Sequence, residues 1–129
     1  MLETGIKGRQ ALTVTNELSA KSMGSGALDV FATPAMIALM EKTAMLSVQG
    51  ELEDGQGTVG TRLEIDHVAA TPVGADVWCE SELVEIDRKR LVFDVIAYDK
   101  AGVIGKGRHE RFIVANDKFM EKANAKLMK

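Results

Sequence analysis

The chain has a single cysteine, Cys79, among 129 residues, so no disulfide can form within it. No His/Cys cluster has the spacing of a metal site, and there is neither a phosphate-cradling glycine loop nor a dinucleotide fingerprint. The expected chemistry therefore uses no metal and no cofactor. Apolar runs are broken by Glu, Lys, Gln or Gly well short of the roughly 20 residues that cross a bilayer. The stretch Met1–Gly8 lacks the apolar core of a secretory leader. Neither sign of charge dominates: 16 Lys and Arg against 19 Asp and Glu leave a formal net charge of −3 and a pI near 5.4. Such a balance recruits neither nucleic acid nor an anionic membrane. A cytoplasmic protein without those partners is expected.

What is present suffices for one core. The hydrophobic fraction is 46%, and the chain reads as a single domain over residues 1–129. Period-two alternation with β-branched residues marks a first strand at 11–15. The stretch Ser19 to Phe31, with Met-Gly-Ser-Gly at 23–26, reads as a mobile loop. Thr33-Pro34 then predicts a helix start, Thr as cap and Pro at the first helical position. The helix runs from 34 to about 49, apolar on nearly every side, which predicts burial. Strands follow at about 58–68, 76–87, 90–99 and 103–115, read as an antiparallel meander with turns at Thr71–Gly74, Asp87–Arg90 and Asp99–Gly102. A polar C-terminal helix is expected from Lys118 to Leu127. The sum is an α+β domain in which an antiparallel sheet wraps one long helix. Because such a helix and sheet edge leave apolar surface uncovered, a homodimer is expected.

Two residues stand out against that apolar background. Glu41 sits mid-helix, where burial penalises its charged form unless it is paired; the alternatives are a place at the helix edge or a pairing with Lys42. In the strand ending at His67, the residues Val59, Thr61, Leu63, Ile65 and His67 share one parity, so His67 should face the helix and offer Glu41 an acid/base partner. Thr33 lies eight residues before Glu41, about 12 Å along the helix. The two side chains should not meet within one chain, so one site using both would have them contact opposite ends of the reacting group or would draw Thr33 from a partner chain. Arg111 and the rival His109 share parity with Val103 and Ile113. The basic residues Arg88, Lys89, Arg90, Lys106 and Arg108 read as solvated, and Cys79 as a small buried hydrophobe.

Three segments carry a more specific signal: Val30–Glu41, Gly60–Gly74 with its His-Val-Ala-Ala-Thr-Pro-Val-Gly, and Gly105–Arg111. Together they resemble the fluoroacetyl-CoA thioesterase family of hotdog-fold proteins over roughly residues 10 to 115. The resemblance implies a hotdog homodimer that hydrolyses an acyl-CoA thioester, with Thr33, Glu41 and His67 in the catalytic positions. It further implies that Gly60 and Arg111 line the site and contact substrate, and that Phe31 and the loop before it govern acyl selection. Thioester hydrolysis needs a nucleophile or activated water, a proton carrier and donors for the oxyanion, and these residue types supply them. Two other readings use the same residues: an acyl-CoA hydratase or dehydratase on the same fold, and a non-catalytic acyl-CoA-binding module.

Overall fold

The computed structural model describes residues 1–128. In chain order the elements are β1 (Lys7–Thr13), a 3-10 turn (Asn16–Leu18), α1 (Ala20–Met23), α2 (Thr33–Gln49), β2 (Gln56–His67), β3 (Asp76–Asp87), β4 (Arg90–Asp99), β5 (Gly102–Ala115), α3 (Asn116–Asn124) and a closing 3-10 turn (Ala125–Met128). The five strands form one antiparallel sheet in the order β1-β3-β4-β5-β2. Helix α2 lies in the curve of this sheet, its Met36, Met40, Ala44 and Val48 buried against Val77, Leu83, Leu91, Phe93 and Val95. Each large side chain so buried contributes about 1.5–3 kcal/mol. The expected hotdog architecture is the one observed. No helix among the described residues is long and apolar enough to cross a membrane.

Several local expectations are corrected. The first strand begins at Lys7 rather than 11, pairing with β3 from Lys7↔Glu82 to Thr13↔Asp76. The last four strands are not one continuous meander, because β2 pairs with β5 at the far edge instead of with β3. The connection Val68–Ala75 must therefore cross three strand spacings, roughly 14 Å. It does so along the end of the sheet, where Phe31 N–H donates to Thr71 O (2.7 Å) and Gly74 N–H to Val14 O (2.8 Å). The loop from Ser19 to Phe31 is an ordered turn of structure: Ser19 Oγ caps α1 by accepting from Ser22 N–H, Gly24 ends it with φ 75°, and Ala20 N–H closes it onto Val30 O (2.8 Å). Finally, α2 is not buried all round. Ala35, Met36, Leu39, Met40, Thr43, Ala44 and Val48 face the sheet, while Ala38, Lys42 and Leu46 face outward.

Two bulges decide which side chains face the helix. Gly60 pairs with Arg111 and Arg62 with Glu110, so Thr61 is an extra residue and the parity of β2 switches there. Val59, opposite Phe112, lies on the other face, while Thr58 and Gly60 join Leu63, Ile65 and His67 on the side of Arg111 and His109. On β5, Ile104 is extra between the Ala97↔Gly105 and Tyr98↔Val103 pairs. That leaves Val103 42% exposed while Ile104, His109, Arg111 and Ile113 are buried.

Candidate active site

The polar residues gather in two places along α2. At its start, Thr33 is the first helical residue and Ala32 the N-cap, which has no side-chain capping bond. Thr33 is thus not the expected cap, and its hydroxyl is directed elsewhere: Thr33 Oγ1 lies 2.8 Å from His67 Nδ1. The hydroxyl donates if the ring carries its proton on Nε2 and accepts in the other tautomer. His67 Nε2 is buried and has no hydrogen-bond partner among the described residues. Burial pushes the His67 pKa down, with the Ala69 backbone opposing it. The imidazole is therefore held neutral near pH 7 with one nitrogen engaged and the other uncommitted. Beside this pair opens a cavity of about 310 Å³ lined by Ala20, Ser25, Phe31, Thr33, His67 and Ala70. Phe31 is 1% exposed and packs in its wall.

Two turns further along α2 is Glu41. Its side chain is 38% exposed, at the edge of the buried stripe rather than within it. Its contacts are Arg111 Nη1 at 3.4 Å and His109 Nε2 at 3.9 Å, both to Oε2. Among the described residues no hydrogen bond or ion pair joins it to His67 or Lys42, so the expected direct Glu41–His67 pairing is absent within one chain. Arg111 is 5% exposed and spends its donors on protein acceptors: Nε–H to Thr58 Oγ1 (2.7 Å), Nη2–H to Thr58 O (2.9 Å), and Nη1–H to Glu41 and to His109 Nε2 (3.0 Å). Its guanidinium holds the carboxylate. Gly60 makes room for this arrangement, since a Cβ there would fall against Glu41 Oε2 and lie 3.2 Å from His109 Cε1. Thr58 and His109 are partners of Arg111 that strand parity alone misassigns or underweights. The bulge at Thr61 is what brings them to this face.

The remaining candidates are accounted for structurally. Arg90 bridges Glu85 and Glu110, and Arg108 bridges Asp94, so both spend their charge on the sheet surface. Cys79 is fully buried and its thiol is pushed up to about 11 by burial, which leaves it inert as a nucleophile. No group of three metal-ligating side chains occurs among the described residues.

A sheet curled around one helix, with a hydroxyl–imidazole pair and a carboxylate on that helix, defines a hotdog-fold protein of the thioesterase type. The sequence pattern of the fluoroacetyl-CoA-specific thioesterases matches residues 14–117, and the chain belongs to that family. It is 39% identical over 98 residues to the fluoroacetyl-CoA thioesterase of Streptantibioticus cattleyicolor, an alignment covering 76% of this chain and 70% of that protein. A solved structure of a fluoroacetyl-CoA thioesterase mutant in complex with fluoroacetate superposes with a TM-score of 0.91 at 30% identity, covering 97% of this chain and 98% of that one. A Thermus thermophilus hypothetical protein of the thioesterase superfamily superposes at 0.89 with 26% identity, covering 99% and 94%.

Proposed function

We propose that this protein hydrolyses a short acyl-CoA thioester at a site formed by Thr33 and His67 of one chain and Glu41 of a second copy. Family membership makes the chain an acyl-CoA thioesterase; the acyl group and the residue roles are the proposal. The observation that carries it is the Thr33–His67 contact of 2.8 Å at the wall of the cavity. In the reaction the thioester carbonyl accepts a hydrogen bond from Thr33, and Glu41 attacks it or directs water at it. The C–S bond breaks, and His67, neutral at rest, carries to the departing thiolate the proton that the attacking water gives up. Where Glu41 itself attacks, that water comes second and hydrolyses the mixed anhydride, freeing the acid and the carboxylate. Gly60 and Arg111 hold the carboxylate in place, and Phe31 bounds the acyl pocket. The small lining residues Ala20, Ser25 and Ala70 suit a short acyl chain, fluoroacetyl among the candidates.

The second copy is supported by what one chain leaves open. Strand β2 is an edge strand, open on one side, with Leu63 39% exposed and Val68 just beyond it 55% exposed, and the outward face of α2 presents Leu46 at 44%. Glu41 lies on α2 against Arg111 of β5 and Gly60 of the β2 edge strand. A panel of short, branched and aromatic acyl-CoAs assayed for free thiol tests the reading. Thiol release on a short member, lost in Glu41→Gln and in His67→Ala, supports it; ligand-induced stabilisation without thiol across the panel overturns it.

A further inference from the structure

His109 is fully buried on β5, in register with Leu63, and its ring bonds at both nitrogens. Nε2 faces Arg111 Nη1 at 3.0 Å and Nδ1 faces Arg62 O at 2.9 Å. Arginine only donates and a carbonyl only accepts, so the ring must be neutral, bare at Nε2 and protonated at Nδ1. Each end of that bond chain has a separate use. The Arg62 carbonyl follows the bulged Thr61, and so ties down the segment that places Gly60 against Glu41. The bare Nε2 gives Nη1 a second acceptor beside Glu41, fixing from one side a guanidinium that Thr58 already fixes from the other.

We infer that His109 is a positioning residue for hydrolysis: it acts through Arg111 and the Thr61 bulge to set the place of the Glu41 carboxylate. The inference rests on the role proposed above for Glu41. Glu41 needs such support because its one hydrogen bond among the described residues, from Arg111, is long at 3.4 Å and its side chain is more than a third exposed. Burial holds the His109 pKa below its ordinary value, the Arg62 carbonyl, Glu41 and Glu110 opposing it and the Arg111 charge adding to it, in keeping with the neutral ring that the two bonds require.

Asparagine at 109 keeps a donor for Arg62 O but stops short of Arg111, whereas glutamine reaches Arg111 with an acceptor. The experiment combines 15N NMR of the histidine rings, of which the chain has two, with thiol-release kinetics on acetyl-CoA and its short homologues. The wild-type His109 should show the Nδ1–H tautomer. His109→Asn should lower kcat roughly ten- to a hundredfold with KM within about twofold, His109→Gln should restore most of it, and His109→Asn added to Glu41→Gln should leave the residual single-turnover rate of that variant unchanged. An Nε2–H tautomer in the wild type overturns the inference even if neither variant folds. So does an Asn variant that loses only thermal stability, an equal loss in Asn and Gln, or a full loss that persists in the Glu41→Gln background. A Glu41→Gln enzyme with intact turnover overturns the role of Glu41 and this inference with it, whereas the wrong tautomer overturns this inference alone.

Discussion

Substituting Gly60 by alanine separates placement of the carboxylate from stability of the fold. The added methyl would meet Glu41 Oε2 first, with His109 Cε1 at 3.2 Å and Arg111 Nη1 at 3.5 Å behind it. Overpacking a rigid core costs about 1–3 kcal/mol. Here the nearest atom ends a flexible, partly exposed side chain that can swing away cheaply. Gly60 is not in the left-handed region, so alanine also gains about 0.4–1 kcal/mol by restricting the unfolded chain. The two effects leave a net change within about 1 kcal/mol, a shift of roughly 4 °C in Tm. Catalysis has no such compensation. A carboxylate driven back to van der Waals separation from the new methyl is misplaced, and a displacement of about 1 Å costs on the order of 10²-fold in rate, roughly 2.7 kcal/mol of barrier. The measurements are a thermal melt and steady-state thiol release on the best substrate of the panel. A Gly60→Ala enzyme that keeps kcat within about twofold of wild type would show that Glu41 does not act from the position seen, and the reasoning would fail.

Thr33→Ala should lower kcat at least about tenfold while Thr33→Ser keeps most of it, because only the hydroxyl reaches His67. The same alanine variant should lose about 0.5–1.5 kcal/mol through the broken His67 hydrogen bond and nothing through a cap, since Thr33 caps nothing; urea denaturation should show the loss in wild type and not in a His67→Ala background. Both histidines have folded pKa values below their ordinary value, so below about pH 6.5 the unfolded chain binds more protons and stability falls as pH falls toward the folded values. That contribution is fully present above pH 6.5, and a urea midpoint that rises on acidification from 6.5 would contradict it. Leu63→Glu, on the open β2 edge, should shift sedimentation toward monomer and abolish turnover together; an active monomer would refute the two-chain site.

Local chemistry made much of the fold legible. The limits of β3 and β4 follow from alternation bounded by turn residues, and Thr33-Pro34 marks the start of α2 within one residue. The pairing of β2 with β5 was not legible, because Val68–Ala75 carries turn residues that serve a crossing as well as a hairpin. The bulges at Thr61 and Ile104 were hidden for a similar reason: one extra residue flips parity without any compositional mark. Hence Val59 and Val103 were assigned to the wrong face. The candidate residues themselves were visible by type, while their partners were not. Glu41 meets Arg111 and His109, and His67 meets Thr33, because which groups touch depends on register across strands remote in sequence.

That separation of partners bears on how many chains build the site. Thr33 and Glu41 are eight helical residues apart, about 12 Å at 1.5 Å per residue, and a thioester carbonyl is too small to be held by one and attacked by the other within a single chain. Mixing decides the point. Thr33→Ala and Glu41→Gln proteins, each strongly impaired alone, would be unfolded together and refolded so that, in a dimer, half the pairs are mixed. If Thr33 and Glu41 of one site come from different chains, each mixed dimer has one site with both native residues, and about a quarter of wild-type turnover returns. If one chain supplies both, every site in the mixture lacks one of them and no turnover returns. The result is independent of how the chemical roles divide between Glu41 and His67, because it reads only which chain each residue comes from.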